Sequence, residues 1–184
     1  MSPDKQQLLY TRHPAIFRDK DLPKEVSCLY WGIECGDGWF GILDALCEAV
    51  TKPYSCTEST QETGERALFS YEFPQVVASQ VKEKFGGLRF YYDLVPDEAF
   101  KELAAKYPNT AERILHQCRA YVDGAIRMAE TQCERTCEET GKPGSLCVRG
   151  GWYRTLCPER AAELSYITTE EWKRRREETE KAKA

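Results

Sequence analysis

The chain has 184 residues, with 26 Lys or Arg against 30 Asp or Glu for a formal charge of −4, and its content is 41% hydrophobic and 11% aromatic; such a chain can bury enough apolar surface to offset its ordering entropy, which excludes wholesale disorder. No stretch approaches the roughly 20 apolar residues of a membrane helix, and the polar start MSPDKQQLLYTRHPAIFRDKD has no apolar core followed by small residues, so no membrane span and no signal peptide is expected and the protein reads as cytoplasmic. Nine cysteines in a reducing compartment are expected as free thiols buried as small apolar groups, with metal ligation the chief competitor and disulfides third.

Residues 1–27 read as an N-terminal arm, because Pro14, Pro23 and scattered charge suit an extended segment that wraps a domain. A single α+β domain is expected over 28–166 and a charged helical tail over 167–184. In CLYWGIECGDGWFGILDALCEAV (28–50), Gly36, Asp37 and Gly38 predict a turn. After it Phe40, Leu43, Leu46, Cys47 and Val50 recur at helical spacing, with Asp37 placed to cap the start. TKPYSCTESTQETGER (51–66) reads as a polar loop.

Strands are expected over 76–84 and 88–93. Leu88, Phe90 and Tyr92 alternate with Arg89 and Tyr91, while Val77 and Val81 share one parity and Val76 and Ala78 the other. Phe85, Gly86 and Gly87 supply the hairpin turn; a helix over 76–84 is the alternative, since Gln, Lys and Glu suit one. DEAFKELAAKY (97–107) predicts a short helix closed by Pro108. Asn109 or Thr110 is expected to cap the longest helix, whose stripe is Ile114, Cys118, Tyr121, Val122, Ala125, Ala129 and Cys133. A small hairpin follows within 137–157. The end, with six basic and five acidic residues over 170–184, predicts a solvated helix fraying into a tail.

Two constellations carry chemistry. Lys82, Lys84 and Arg89 flank the glycine turn with Phe85, Phe90, Tyr91 and Tyr92 interleaved. Lys and Arg neutralise an anion such as phosphate while an aromatic face stacks on a flat ring, and glycine backbone amides can approach the phosphate closely. The competing reading is structural: Glu34, Asp37, Asp44 and Glu48, four acids without a base over 28–50, can pair with this basic edge. The second constellation is Asp37-Gly38-Trp39, where Trp39 is either a stacking platform or a core anchor. His13 and His116 are the only histidines, neither lies near a nucleophile in any motif, and no P-loop, G-x-S-x-G or H-E-x-x-H is present. No catalytic residue is therefore assigned.

The strings IECGDGWF (33–40), QVKEKFGGLRFYYD (80–93), GAIRMAE (124–130), RTCEETGKPG (135–144) and GGWYRTLC (150–157), in that order, resemble a family of small uncharacterised bacteriophage and prophage proteins over about residues 28–162. The resemblance implies a zinc ribbon near the C-terminus, C-x-x-C-G followed by L-C-x-x-H or L-C-x-x-C. This sequence keeps Cys137 and Cys157 but has Thr140 and Arg160 at the partner positions. Zinc, which needs four tetrahedral ligands, would then require Cys133 or Cys147 as a substitute, so no cofactor is expected and the ribbon reads as degenerate.

The expectation is an α+β fold, a small antiparallel sheet on 76–93 joined by the hairpin near 145–157 and packed on helices 39–50 and 111–135. The leading functional reading is a non-enzymatic phage accessory protein that binds an anionic small molecule of nucleotide type, with sequestration of a host immune signal as one use. Its candidate site is Asp37, Trp39, Lys82, Lys84, Phe85, Arg89 and Tyr91. The alternatives are an inhibitor that binds a host protein, and a degenerate zinc ribbon that contacts nucleic acid. The net charge disfavours the latter, although Lys173 to Arg176 keeps it open. Oligomeric state, homo-oligomer included, is open.

Overall fold

The computed structural model describes residues 1–51, 57–60, 67–70 and 74–182. In chain order it comprises α1 (Pro3–Arg12), β1 (Ile33–Glu34), α2 (Phe40–Thr51), β2 (Thr57–Thr60), β3 (Ala67–Ser70), β4 (Gln75–Lys84), β5 (Gly87–Val95), α3 (Glu98–Lys106), α4 (Pro108–Cys133), β6 (Ser145–Arg149), β7 (Trp152–Leu156), α5 (Pro158–Glu163), β8 (Ile167–Thr168) and α6 (Thr169–Lys181). The fold is α+β. No helix among the described residues is long and apolar enough to cross a membrane.

β4 and β5 form the antiparallel hairpin that the alternation predicts, which rules out a helix over 76–84. Lys84 pairs with Gly87, so the connection is the two residues Phe85 and Gly86, both at positive φ (56° and 81°), the backbone of a type I′ turn whose twist matches the strands. Simple parity fails along β4. Val76 and Ala78 share the main core with Val81, because Ser79 is an extra residue between the pairs Ala78–Tyr92 and Gln80–Tyr91. This bulge moves the buried side from even to odd positions.

The sheet is mixed, in the order β1-β4-β5, with β1 parallel to β4. The hairpin near 145–157 does not join it, contrary to expectation: β6 and β7 pair with each other and β8 adds to β6 in a separate sheet, β7-β6-β8. β2 lies inside the stretch 51–66 read as a polar loop and pairs antiparallel with β3, which follows it; residues 52–56, with Cys56, and 61–66 lie outside the described residues.

The main core is built from both helices and strands. Leu43, Leu46, Cys47 and Val50 of α2 and Val122, Ala129 and Cys133 of α4 meet Val76, Val81, Leu88 and Phe90 of the hairpin. α4 begins earlier than its expected cap at Asn109 or Thr110: Pro108 occupies its first turn, where a missing N–H costs nothing. Tyr121 points outward from the expected stripe and donates its hydroxyl to Ala49 O at 3.2 Å, and Ile126 takes its place inside. α3 packs Phe100 on Ala111, Ile114 and Cys118 of α4 in a satellite cluster.

The N-terminal segment is not an extended arm. Pro3 and Asp4 open α1 in the manner of helix starts, and Leu9, Ile16 and Phe17 are fully buried in the main core. The Met1 amino group donates to Ile33 O at 3.0 Å and Ala78 N donates to Ile16 O at 2.8 Å, so this segment is stitched to both β1 and β4. At the other end α6 buries no residue, is capped by Thr168 and carries the i,i+4 pairs Arg175–Glu171 and Arg176–Glu180, a solvated helix as its composition predicts.

Candidate ligand-binding site

The register of β4 against β5 decides which charges share a face. Lys82 stands opposite Arg89 and Gln80 opposite Tyr91, and directly opposed residues of an antiparallel pair point to the same side. Lys82, Lys84, Arg89 and Tyr91 therefore line the solvent face, while Val81, Leu88 and Phe90 are buried on the other. At the tip of this face Lys84, Phe85, Gly86, Gly87 and Arg89 enclose, with Glu134, Leu146 and Thr155, a cavity of about 290 Å³.

Three contacts fix the tip. Thr155, fully buried, donates its hydroxyl to Gly86 O at 2.6 Å. Leu146 packs so tightly over Gly86 that a Cβ there would collide with its Cδ1. Gly86 N donates to Glu83 Oε1 at 2.5 Å. Burial raises the Glu83 carboxyl above its ordinary value; the Gly86 amide and the charges of Arg154 and Arg89 pull it down and the charge of Glu138 adds to the rise. The last contact corrects one expectation: the Gly86 amide is occupied by Glu83 and does not face a ligand. The groups left free at this tip are therefore side chains.

Those side chains differ in freedom. Among the described residues Lys82 and Lys84 make no ion pair; their ammonium groups lie 5.5 Å from the Tyr91 ring centroid and 5.4 Å from that of Phe85. Arg89 donates to Leu88 O at 2.6 Å and stands 3.7 Å from Glu130. Phe85 is 69% exposed, an aromatic ring held outward by a strained left-handed φ in a turn. Lys82 and Tyr91 share the face but not the cavity.

Asp37 and Trp39 are not part of this site. Trp39 is fully buried and its indole Nε1 donates to Thr136 O at 2.8 Å, so it is a core anchor and offers no stacking face. Asp37 does not cap α2; it lies in a short 3₁₀ turn and accepts from Ser2 N at 2.6 Å, with Lys5 beside it. The Ser2 amide, then the Lys5 charge and the terminal amino group, outweigh partial burial and hold its carboxyl below the ordinary range. Asp44 is likewise taken by Arg12 and His13 at 2.6 and 2.9 Å. The acids Asp37 and Asp44, expected to pair with the basic strand edge, are answered instead by the N-terminal helix and His13, and of the four only Glu34 stands in register beside Lys82.

Cys137 and Cys157 are brought together in a small buried cluster with Cys147, Leu156 and Tyr166. The loop after Cys137 has a tight, knuckle-like turn: Gly141 N donates to Cys137 O at 2.9 Å and Cys137 N to Lys142 O at 2.7 Å. Thr140 fills the next position and its hydroxyl lies 3.7 Å from Cys157 Sγ. Burial alone would raise the Cys137 thiol; hydrogen bonds from the Thr140 hydroxyl and the neighbouring amides outweigh it and hold the thiol below its ordinary value. Arg160 turns away to Glu139 and Glu163. The two thiols, hydroxyl and guanidinium at the four ribbon positions do not fit the tetrahedral donor set of zinc; of the possible substitutes Cys133 belongs to the main core and Cys147 to this cluster, and no three Cys, His, Asp or Glu side chains among the described residues are placed to hold a metal.

Leu146, Thr155 and Glu134 complete the cavity from elements distant in sequence, and no local pattern announces them. Comparison with known protein families, with curated proteins and with solved structures gives no match to this chain.

Proposed function

We propose that this protein is a non-enzymatic binding protein for an anionic small molecule of nucleotide type, held at the β4–β5 tip. The observation that carries the reading is the cavity of about 290 Å³ bordered by Lys84, Arg89 and the outward Phe85 ring. Its size lies just under the lower bound of ligand pockets, about 300 Å³, which suits a mononucleotide rather than an oligomer. Lys84 supplies an ammonium unoccupied by any carboxylate among the described residues, Arg89 a planar donor fork, and Phe85 a face for a base. The resemblance to phage proteins supplies only the setting, an accessory protein in a host cell; sequestration of a host nucleotide signal is the use we propose for such a site there.

Thermal denaturation with a panel of mono-, di- and cyclic nucleotides tests it. Ligand that binds only the folded state raises the midpoint, and Lys84→Ala with Arg89→Ala is expected to abolish the rise. No shift with any nucleotide sinks the proposal.

A second reading, a module that binds a host protein, is favoured by the exposure of Phe85 (69%) and Trp152 (77%), since large exposed aromatics are over-represented as interface anchors. Trp152 does not line the cavity. Trp152→Ala therefore separates the two: it leaves a nucleotide response intact and weakens only protein binding.

A further inference from the structure

A second pocket, of about 330 Å³, opens where α1 meets the two 3₁₀ turns Arg18–Asp21 and Cys28–Trp31. Gln6, Tyr10, Lys20, Asp21, Tyr30 and Trp31 line it. Tyr10, more than nine-tenths buried, belongs to its wall; its hydroxyl is sealed from solvent and has no hydrogen-bond partner among the described residues. A buried hydroxyl without a partner is costly and rare in native structures, and the Asp21 carboxylate, also in the wall, is near enough to add to the rise that burial gives the phenol.

The rest of the wall narrows the chemistry. Lys20 and Asp21 are ion-paired, so the pocket presents opposite charges side by side and favours neither an anion nor a cation. Gln6 Oε1 accepts from Ile33 N at 2.8 Å, which fixes the amide and leaves its NH2 as a donor toward anything else. Asp21 accepts and Lys20 donates. At the rim Trp31 and Tyr30 are 63% and 55% exposed and meet edge to face with ring centroids 5.2 Å apart. They give flat apolar faces to solvent and add no core packing there. A neutral ligand with several hydroxyls on one side and a C–H face on the other matches donors, acceptors and aromatic platform together.

We propose that this pocket binds a neutral sugar, a mono- or disaccharide whose ring lies against Trp31 and whose hydroxyls meet Gln6, Lys20 and Asp21. The proposal does not rest on the hairpin site. Saturation-transfer NMR on the full chain with glucose, galactose, N-acetylglucosamine and maltose at millimolar concentration, each followed by tryptophan fluorescence titration, tests it. At least one sugar is expected to receive saturation at its ring protons, Trp31→Ala to abolish the transfer, and Asp21→Ala to weaken binding by about tenfold, the loss of one hydrogen bond. Lys84→Ala with Arg89→Ala is expected to leave sugar binding unchanged. Absence of transfer to all four sugars, transfer that survives Trp31→Ala, or transfer lost with the Lys84 and Arg89 substitutions overturns the proposal. So does transfer to free adenosine or guanosine that Trp31→Ala abolishes while no sugar responds.

Discussion

Thr155 in β7 and Gly86 in the β4–β5 turn are 69 residues apart in sequence and joined by a 2.6 Å hydrogen bond from the threonine hydroxyl to the glycine carbonyl. This bond pins the tip of one sheet to the face of the other, and with Leu146 it forms the floor of the hairpin cavity. Thr155→Val keeps the shape and leaves a buried carbonyl without its donor, at a cost of about 1–3 kcal/mol. Urea denaturation is expected to show a lower midpoint with unchanged slope, and the nucleotide response of the folded protein is expected to weaken as the tip loosens. An unaltered midpoint contradicts the pinning role.

Gly38 marks a second close approach. A Cβ there would run into Cys137 O and Gly141 N, both backbone atoms, and Gly38 N already donates to Glu138 O at 2.7 Å. Neither partner can yield as a flexible side chain would, so Gly38→Ala is expected to destabilise by at least the 1–3 kcal/mol or so of an overpacked core. Gly124→Ala, in a helix with open space around the position, is the control and is expected to stabilise slightly. Equal melting temperatures for the two variants would show that the knuckle does not press on the start of α2.

Asp37 supplies a pH dependence whose sign is fixed. Its folded carboxyl titrates below the ordinary value, chiefly because it accepts the Ser2 amide. A depressed acid contributes stability that is fully present above its unfolded value, about 4, and is lost as pH falls through the lower folded value. Asp37→Asn is therefore expected to be less stable than the parent at pH 7, with the gap closing below about pH 4. Melting curves at falling pH from 7 check this; a gap that does not narrow at all below about pH 4 shows that the substitution acts through packing and not through charge.

The alternation of Leu88, Phe90 and Tyr92 and the spacing of Leu43, Leu46, Cys47 and Val50 were legible because one face of each element is buried and a local period records it. The bulge at Ser79 was not, since an extra residue alters phase without altering composition. Lys84, Phe85 and Arg89 could be read as a group from their spacing around the turn. Trp39 could not be resolved between rim and core, because a Trp after a glycine turn suits either until the acceptor, Thr136 O, is placed 97 residues away. The helix α1 was hidden for a related reason: PDKQQLLYTR buries only Leu9 and Tyr10, too few for a visible stripe. What fails locally is what long-range contacts decide.

The cysteines offer a test that joins both readings. Among the described residues only Cys28 is exposed and all the others are buried free thiols. Burial pushes Cys35 up to about 12 and raises Cys47 and Cys133 strongly as well, and a thiol that is both hidden and protonated does not react. Cys137 is the informative exception, since its thiol is shifted down yet has no exposure. Ellman's reagent at pH 8 followed by peptide mass mapping is expected to modify Cys28 quickly and Cys137, Cys147 and Cys157 only on the unfolding timescale. A chelator is expected to leave those three rates unchanged, because a zinc ion held by Cys137 and Cys157 would stabilise the fold and its removal would hasten their labelling. Acceleration by chelator would mean that Thr140 and Arg160 do not mark a lost ligand set. Fast labelling of Cys137 in the native protein would instead show that its cluster opens far more often than its packing allows.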